Sequence, residues 1–277
     1  MRSTALNRSA SVVALLSVTL AVGCSSNPEP QRRAEPPQSS LVNQAATQNR
    51  AAQAQTLIAQ GDAALAAERW KDAVALYKRA LTAQPNRWET YLNLAIAQTK
   101  VPDFNSAIET MKQGMARGGA REWRMWYNLG TMYQDRGLYE EAVKAYRVGL
   151  NYHDKPHLDS LLNIGSSYLF QHKVNEAKST FEYIVRLAPN DPRGHHNLAM
   201  LDQLQNHHER AIRGYEGVHQ IDPNYAQSYY NKGVSLRRIK RCDEAITSFR
   251  KYISLEPNGP YVKRATHNIK RCSKSRS

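Results

Sequence analysis

Cysteine is scarce in this chain: three in 277 residues, Cys24, Cys242 and Cys272. That excludes a disulfide-dense secreted scaffold and a multi-cysteine zinc module. Acidic residues are in deficit, 24 Asp and Glu against 38 Lys and Arg, for a formal net charge of +14. No glycine-rich phosphate loop, nucleophile elbow or metalloprotease helix motif occurs. Histidines pair as His195-His196 and His207-His208, but neighbours on a helix point in different directions and do not chelate as an i, i+4 pair does. Carboxylates such as Glu140-Glu141 and Asp243-Glu244 sit at helix starts, where they favour the helix dipole. The expectation is no catalytic residues, no metal and no cofactor: a binding protein, not an enzyme.

What is present is a period. Alanine recurs at Ala73, Ala107, Ala142, Ala177, Ala211 and Ala245, in steps of 34, 35, 35, 34 and 34. Twelve residues before each stands a small residue: Gly61, Ala95, Gly130, Gly165, Ala199, Gly233. Four after each stands a large one: Tyr77, Met111, Tyr146, Phe181, Tyr215, Phe249. A period of this length indicates a stack of supersecondary units. Each unit has two stretches of helical spacing; in the third, Trp126, Leu129, Gly130 and Tyr133 share one face, as do Tyr139, Ala142, Val143, Tyr146 and Leu150. The small residues mark where two helices approach closely.

These residues resemble the tetratricopeptide repeat. Trp126, Leu129, Gly130 and Tyr133 carry the first half of its pattern, and Ala73, Tyr77, Ala80 and Pro85 the second. The closing Pro recurs as Pro189, Pro223 and Pro257, whereas the second repeat has Gly118-Gly119 there and the third delays to Pro156. The resemblance implies an all-α, right-handed solenoid of six helix-turn-helix repeats over residues 41–259, with a long first helix. Residues 260–277 read as a capping helix and basic tail, with Val262, Ala265, Ile269 and Cys272 as its stripe. It also implies a groove lined by the first helices. Asn93, Asn128, Asn163, Asn197 and Asn231 recur there, two residues before the small position, and an amide can bond an extended peptide backbone. Arg124, Tyr127, Arg193, His196, Tyr230 and Arg237 join them. The implied ligand is a protein segment with acidic and apolar residues.

Residues 1–23 read as a targeting segment. Arg2 and Arg8 precede an apolar run from Ala10 to Val22 that is too short to span a bilayer as a mature helix. The run ends Leu20-Ala21-Val22-Gly23-Cys24, which resembles the bacterial lipoprotein signal, although Leu20 lies one residue further out than the usual Leu. That resemblance implies lipidation of Cys24; the alternative is an ordinary secretory signal. Ser25 fits sorting to the periplasmic side of the outer membrane rather than inner-membrane retention. Residues 24–40, rich in Pro, Ser and Gln, read as a disordered tether, with Ser40 as N-cap of the first helix.

From Arg237 onward twelve Lys and Arg face three acidic residues, so the C-terminal end suits an anionic surface or acidic partner. Nucleic acid is not expected. Cys242 holds a register occupied elsewhere by Trp70, Phe104, Tyr139 and Val174, packed on the end of the next first helix. Cys272 stands at that end, so a Cys242–Cys272 disulfide is expected. Architecture resembles pilotin-like and motility-complex lipoproteins, which implies a membrane-anchored periplasmic scaffold for an envelope machine: a type IV pilus, a secretion system or a gliding apparatus. The alternatives are an adaptor for peptidoglycan synthases or hydrolases, and an anionic-lipid-binding surface protein.

Overall fold

The computed structural model describes residues 38–274. Its contacts divide the chain into residues 1–45 and 46–277; of the first unit only the start of one helix is described. The targeting segment, Cys24 and most of the tether lie outside the described residues.

The described residues form helices and turns. The helices are α1 Gln38–Ala66, α2 Trp70–Ala83, α3 Trp88–Lys100, α4 Phe104–Ala116, α5 Trp123–Asp135, α6 Tyr139–Asn151, α7 Leu158–Phe170, α8 Val174–Leu187, α9 Pro192–Leu204, α10 His208–Ile221, α11 Ala226–Arg238, α12 Cys242–Leu255 and α13 Val262–Lys274. α3/α4 through α11/α12 pair as hairpins, α1 and α2 make another, the first in chain order, where Tyr77 meets Gly61 and Asp62, and α13 packs on α12 and touches α11. α1 starts two residues before the expected cap, so Ser40 lies inside the helix. Pro260 stands in the turn before α13.

The period is the packing. All six periodic alanines are fully buried on the second helices. The large residue one turn later crosses to the first helix of its own hairpin. A Cβ built on Gly130 would stand 2.6 Å from the Tyr146 ring, and one on Gly61 2.7 Å from Tyr77, so the ring occupies the space a side chain would need. Ala199 is accommodated opposite Tyr215 because Gly214 faces it, leaving the room that another Cβ would fill at 2.7 Å.

Both irregular junctions take their own form. Gly118 adopts a left-handed conformation (φ 109°) and a single 3-10 turn, Gly119–Arg121, follows. At the third junction His157 caps α7, its Nδ1 accepting from the Ser160 N–H at 3.3 Å. Turns inside the hairpins share one strained position. Glu68, His172, Asn206 and Lys240 have φ of 57°, 58°, 62° and 63°, and Gly137 holds the same register at 72°. A side chain there crowds its own backbone, a cost that glycine escapes. His172→Gly and Lys240→Gly are each expected to raise stability by about 0.5–1 kcal/mol, read as a higher urea midpoint at unchanged slope.

Candidate peptide-binding face

The asparagine ladder alternates. In the first, third and fifth hairpins the large residue is a tyrosine whose hydroxyl reaches back to its own first helix: Tyr77 donates to Asp62 (2.7 Å), Tyr146 to Gln134 (2.9 Å) and Tyr215 to Gln203 (2.8 Å). The asparagine of the next hairpin closes each group. Asn93 donates to Asp62 at 3.1 Å and Asn163 to the Tyr146 hydroxyl at 3.2 Å, while Asn231 lies in hydrogen-bonding contact with Tyr215. Burial, the largest cause, lifts the Tyr146 phenol to about 12; Tyr77 and Tyr215 also rise. The second and fourth hairpins carry Met111 and Phe181 instead, with no hydroxyl to satisfy. Asn128 and Asn197 then bond their own helix, at Arg124 O (2.8 Å) and Arg193 O (2.9 Å). Part of each amide is thus spent inside the stack. An amide offers two N–H donors and a two-lone-pair oxygen, so each half-buried Asn keeps capacity for a ligand.

One residue earlier along the same helices lies the register of Leu92, Tyr127, Leu162, His196 and Tyr230. Tyr127, Leu162 and Tyr230 are half-buried, with edges open to a ligand. His196 is not: it is 3% exposed, between the rings of Tyr215 and Tyr225 at 5.5 and 5.1 Å. It forms part of the wall rather than the lining. Burial and nearby His219 hold its pKa down at about 4.

Family models described as tetratricopeptide repeat match residues 64–127, 124–150, 159–191 and 226–258, together more than half of the chain. The chain belongs to the tetratricopeptide repeat family. It is similar to the heat shock protein sti1 homolog of Schizosaccharomyces pombe, 27% identical over 203 residues, which is 59% of this chain and 33% of that protein. It is also similar to Hsp70-Hsp90 organizing protein 2 of Arabidopsis thaliana, 20% identical over 249 residues, 76% of this chain and 43% of that protein. The chain therefore spans less than half the length of these curated relatives. Among solved structures, Pseudomonas aeruginosa pilF aligns at TM-score 0.60 and 20% identity, covering 82% of this chain and 99% of that one. The C-terminal part of a repeat protein from Cytophaga hutchinsonii aligns at 0.60 and 16%, covering 75% and 83%. Tetratricopeptide repeats are protein-interaction scaffolds, typically without enzymatic activity, and this chain is one.

On the tetratricopeptide first-helix face two of the expected groove arginines are engaged by carboxylates. Arg193 bonds Asp191 through Nε and Nη2 (3.0 and 2.7 Å) and reaches Asp159 of the preceding repeat. Its hydrogen bond to Asp191, then those to Asp159, raise its pKa, and Asp191 falls correspondingly. Arg124 lies 5.8 Å over the Trp88 ring and 3.5 Å from Glu122. Positive charge collects instead at the C-terminal end, where Arg237 and Arg264 both act on Tyr230. Tyr230 itself stacks on Tyr261 (4.6 Å, 17°).

Trp123, His153 and His157, none of them among the expected groove residues, are gathered by the structure beside Tyr127. The Trp123 ring lies 4.6 and 4.7 Å from the two imidazoles, and Tyr127 meets His157 at 5.2 Å. The longer third junction is what delivers the histidines, so its irregular length was the available signal. Each Nδ1 accepts a backbone N–H, from Lys155 and from Ser160. The neutral rings therefore carry their proton on Nε2 and offer donors rather than metal-ligating lone pairs there. Among the described residues no group of three or more metal-ligating side chains assembles. Cys242 and Cys272, expected as a disulfide, are in hydrogen-bonded contact as thiols.

Proposed function

We propose that this protein is an exported, lipid-anchored adaptor that holds an extended peptide segment of an envelope machine on its first-helix face. The face is built from repeats three to six. The observation that carries the reading is the run of half-exposed Trp123, Tyr127, Leu162 and Tyr230 beside asparagines with unused amide capacity. Aromatic edges supply contact area at low entropic cost, and amides bond any peptide backbone. The ligand is apolar with acidic residues toward the C-terminal end, where the charges of Arg237 and Arg264 act on Tyr230. Export and anchoring rest on the run that ends at Cys24, and Ser25 supports a partner on the periplasmic side of the outer membrane, in pilus, secretion or motility assembly.

A second contact with anionic envelope surface is favoured by α13. At 100° per residue, Lys263, Arg264, His267, Lys270, Arg271 and Lys274 fall within about 120° of arc, opposite buried Ala265 and Cys272. All six are exposed, and no acidic residue follows Glu256.

Tyr127→Ala combined with Tyr230→Ala is expected to weaken capture of the partner by at least about 30-fold, as loss of two aromatic anchors of about 1 kcal/mol or more each implies. Crosslinking pull-down from native membranes with quantitative mass spectrometry checks it. Undiminished recovery by a folded double variant rejects the face.

A further inference from the structure

We infer that Cys242 and Cys272 form a redox modification site that takes a small-molecule or protein disulfide as oxidant and closes into a bridge locking α13 onto the sixth repeat. The argument begins with register. In the first and third hairpins the first residue of the second helix packs against the end of the next first helix. Trp70 lies under Lys100, its ring centroid 5.9 Å from Nζ, and Tyr139 stacks flat on Phe170 at 4.7 Å and 7°. The sixth hairpin places two thiols in that contact, hydrogen-bonded to each other. The repeat architecture therefore holds the sulfurs together whether or not they are bonded.

The two thiols are unequal. Cys272 is 1% exposed. Burial, followed by its bond to Cys242, lifts its pKa to about 11, against the opposing charges of Arg237 and Arg271. Cys242 is half-buried and is the first residue of α12, so it is the sulfur an oxidant can reach. Asp243 and Glu244 follow it in the same turn, with Glu244 answered by Arg241 at 2.6 Å. Cys242 is thus the point of attack. Its thiolate attacks one sulfur of the oxidant disulfide, forming a mixed disulfide and expelling one oxidant thiolate. Cys272 then gives up its proton and attacks the Cys242 sulfur, releasing the second. Two electrons and two protons pass from the pair to the oxidant, which leaves as two thiols. The product ties the first residue of α12 to the last turn of α13, a helix that packs chiefly on α12 and α11 among the described residues.

The test uses the full chain carrying Cys24→Ser, in glutathione buffers of graded ratio. Oxidation is expected to lower the intact mass by two hydrogens, leave no alkylatable thiol after denaturation, and raise Tm by about 5–10 °C, all reversed by dithiothreitol. Cys242→Ser is expected to show none of these changes, and Cys272→Ala, which lacks the resolving thiol, to stop at a glutathione adduct with Tm unmoved. In the chain that keeps both cysteines, a stable glutathione adduct, disulfide-linked dimers, thiols that persist at oxidising ratios, or a bridge that leaves Tm unmoved would each overturn the inference. These readouts need no partner, so they stand apart from the proposed function.

Discussion

Tyr146→Ala is expected to cost about 3–5 kcal/mol, the range for removing a fully buried aromatic side chain, measured as a fall in the urea midpoint. The ring is fully buried against Gly130 and Tyr127. Two helices of one repeat close on it, and glycine cannot fill the space left behind. Its hydroxyl also joins Gln134 and Thr131 of its own hairpin to Asn163 of the next. Truncation therefore weakens the coupling between the third and fourth repeats as well as the third repeat itself. A stack held together by nearest-neighbour terms then loses cooperativity, and a shallower urea slope or two separate transitions should accompany the loss. Tyr146→Phe separates the two effects. Phe181 and Phe249 already hold this register, so the cavity is absent and only the hydroxyl network goes, about 1 kcal/mol. A Phe variant as unstable as the Ala variant would contradict the packing account.

Acid should loosen the stack before the carboxylates titrate. His196 and His219 are held neutral, each near 4 against an ordinary 6.5, by burial first; His219 adds to it at His196, and Lys232 at His219. A base whose folded pKa is depressed lets the unfolded chain bind more protons between those two values. Its stabilising contribution is complete above about pH 6.5 and is lost as pH falls toward 4. For His196, almost wholly buried, the loss amounts to roughly 2–3 kcal/mol by pH 4.5. His219 is half-exposed where it stacks on Tyr229, and its share is smaller. His157 moves in the same direction, chiefly by desolvation, and protonating it also removes the acceptor that caps α7. Asp191, lowered by Arg193, contributes only below this window. His196→Leu is the decisive variant, because Leu92 and Leu162 occupy the same register. Unfolding free energies from pH 7.5 to 4.5 should fall less steeply for this variant than for the parent chain; parallel curves would show that His196 is not the acid-sensitive group.

The alanine and glycine spacings disclosed both helices of every repeat, because a close approach between helices tolerates only small residues and so leaves a mark in sequence. The starts of the second helices were equally plain, since one register, from Trp70 to Cys242, opens each of them. Side-chain commitments were harder to see. The five asparagines look alike as letters, yet their bonding follows whether the preceding repeat ends its packing in a tyrosine or in Met111 or Phe181. That alternation is visible only when the two registers are read together. His196 was read as lining because its position faces the ligand side in neighbouring repeats; tyrosines 215 and 225 cover it, and contacts between repeats are not written in a local pattern. Arg193 was read as a groove residue; the carboxylates that engage it come from the turn before α9 and from the preceding repeat. Trp123, His153 and His157 meet across a junction whose length, not its composition, brings them together.

The most direct measurement is site-specific photo-crosslinking in native membranes. Probes at Tyr127, Leu162 and Tyr230 mark the first-helix face. Probes at Tyr183 and Ser179 mark the second-helix side, where an open hollow of about 450 Å³ lies between α6, α7 and α8. The account predicts one common crosslinked partner from the three first-helix positions, acidic and apolar in the segment that reacts, and none from Tyr183 or Ser179. Crosslinks confined to the second-helix side, or three unrelated partners from the three first-helix probes, would contradict it.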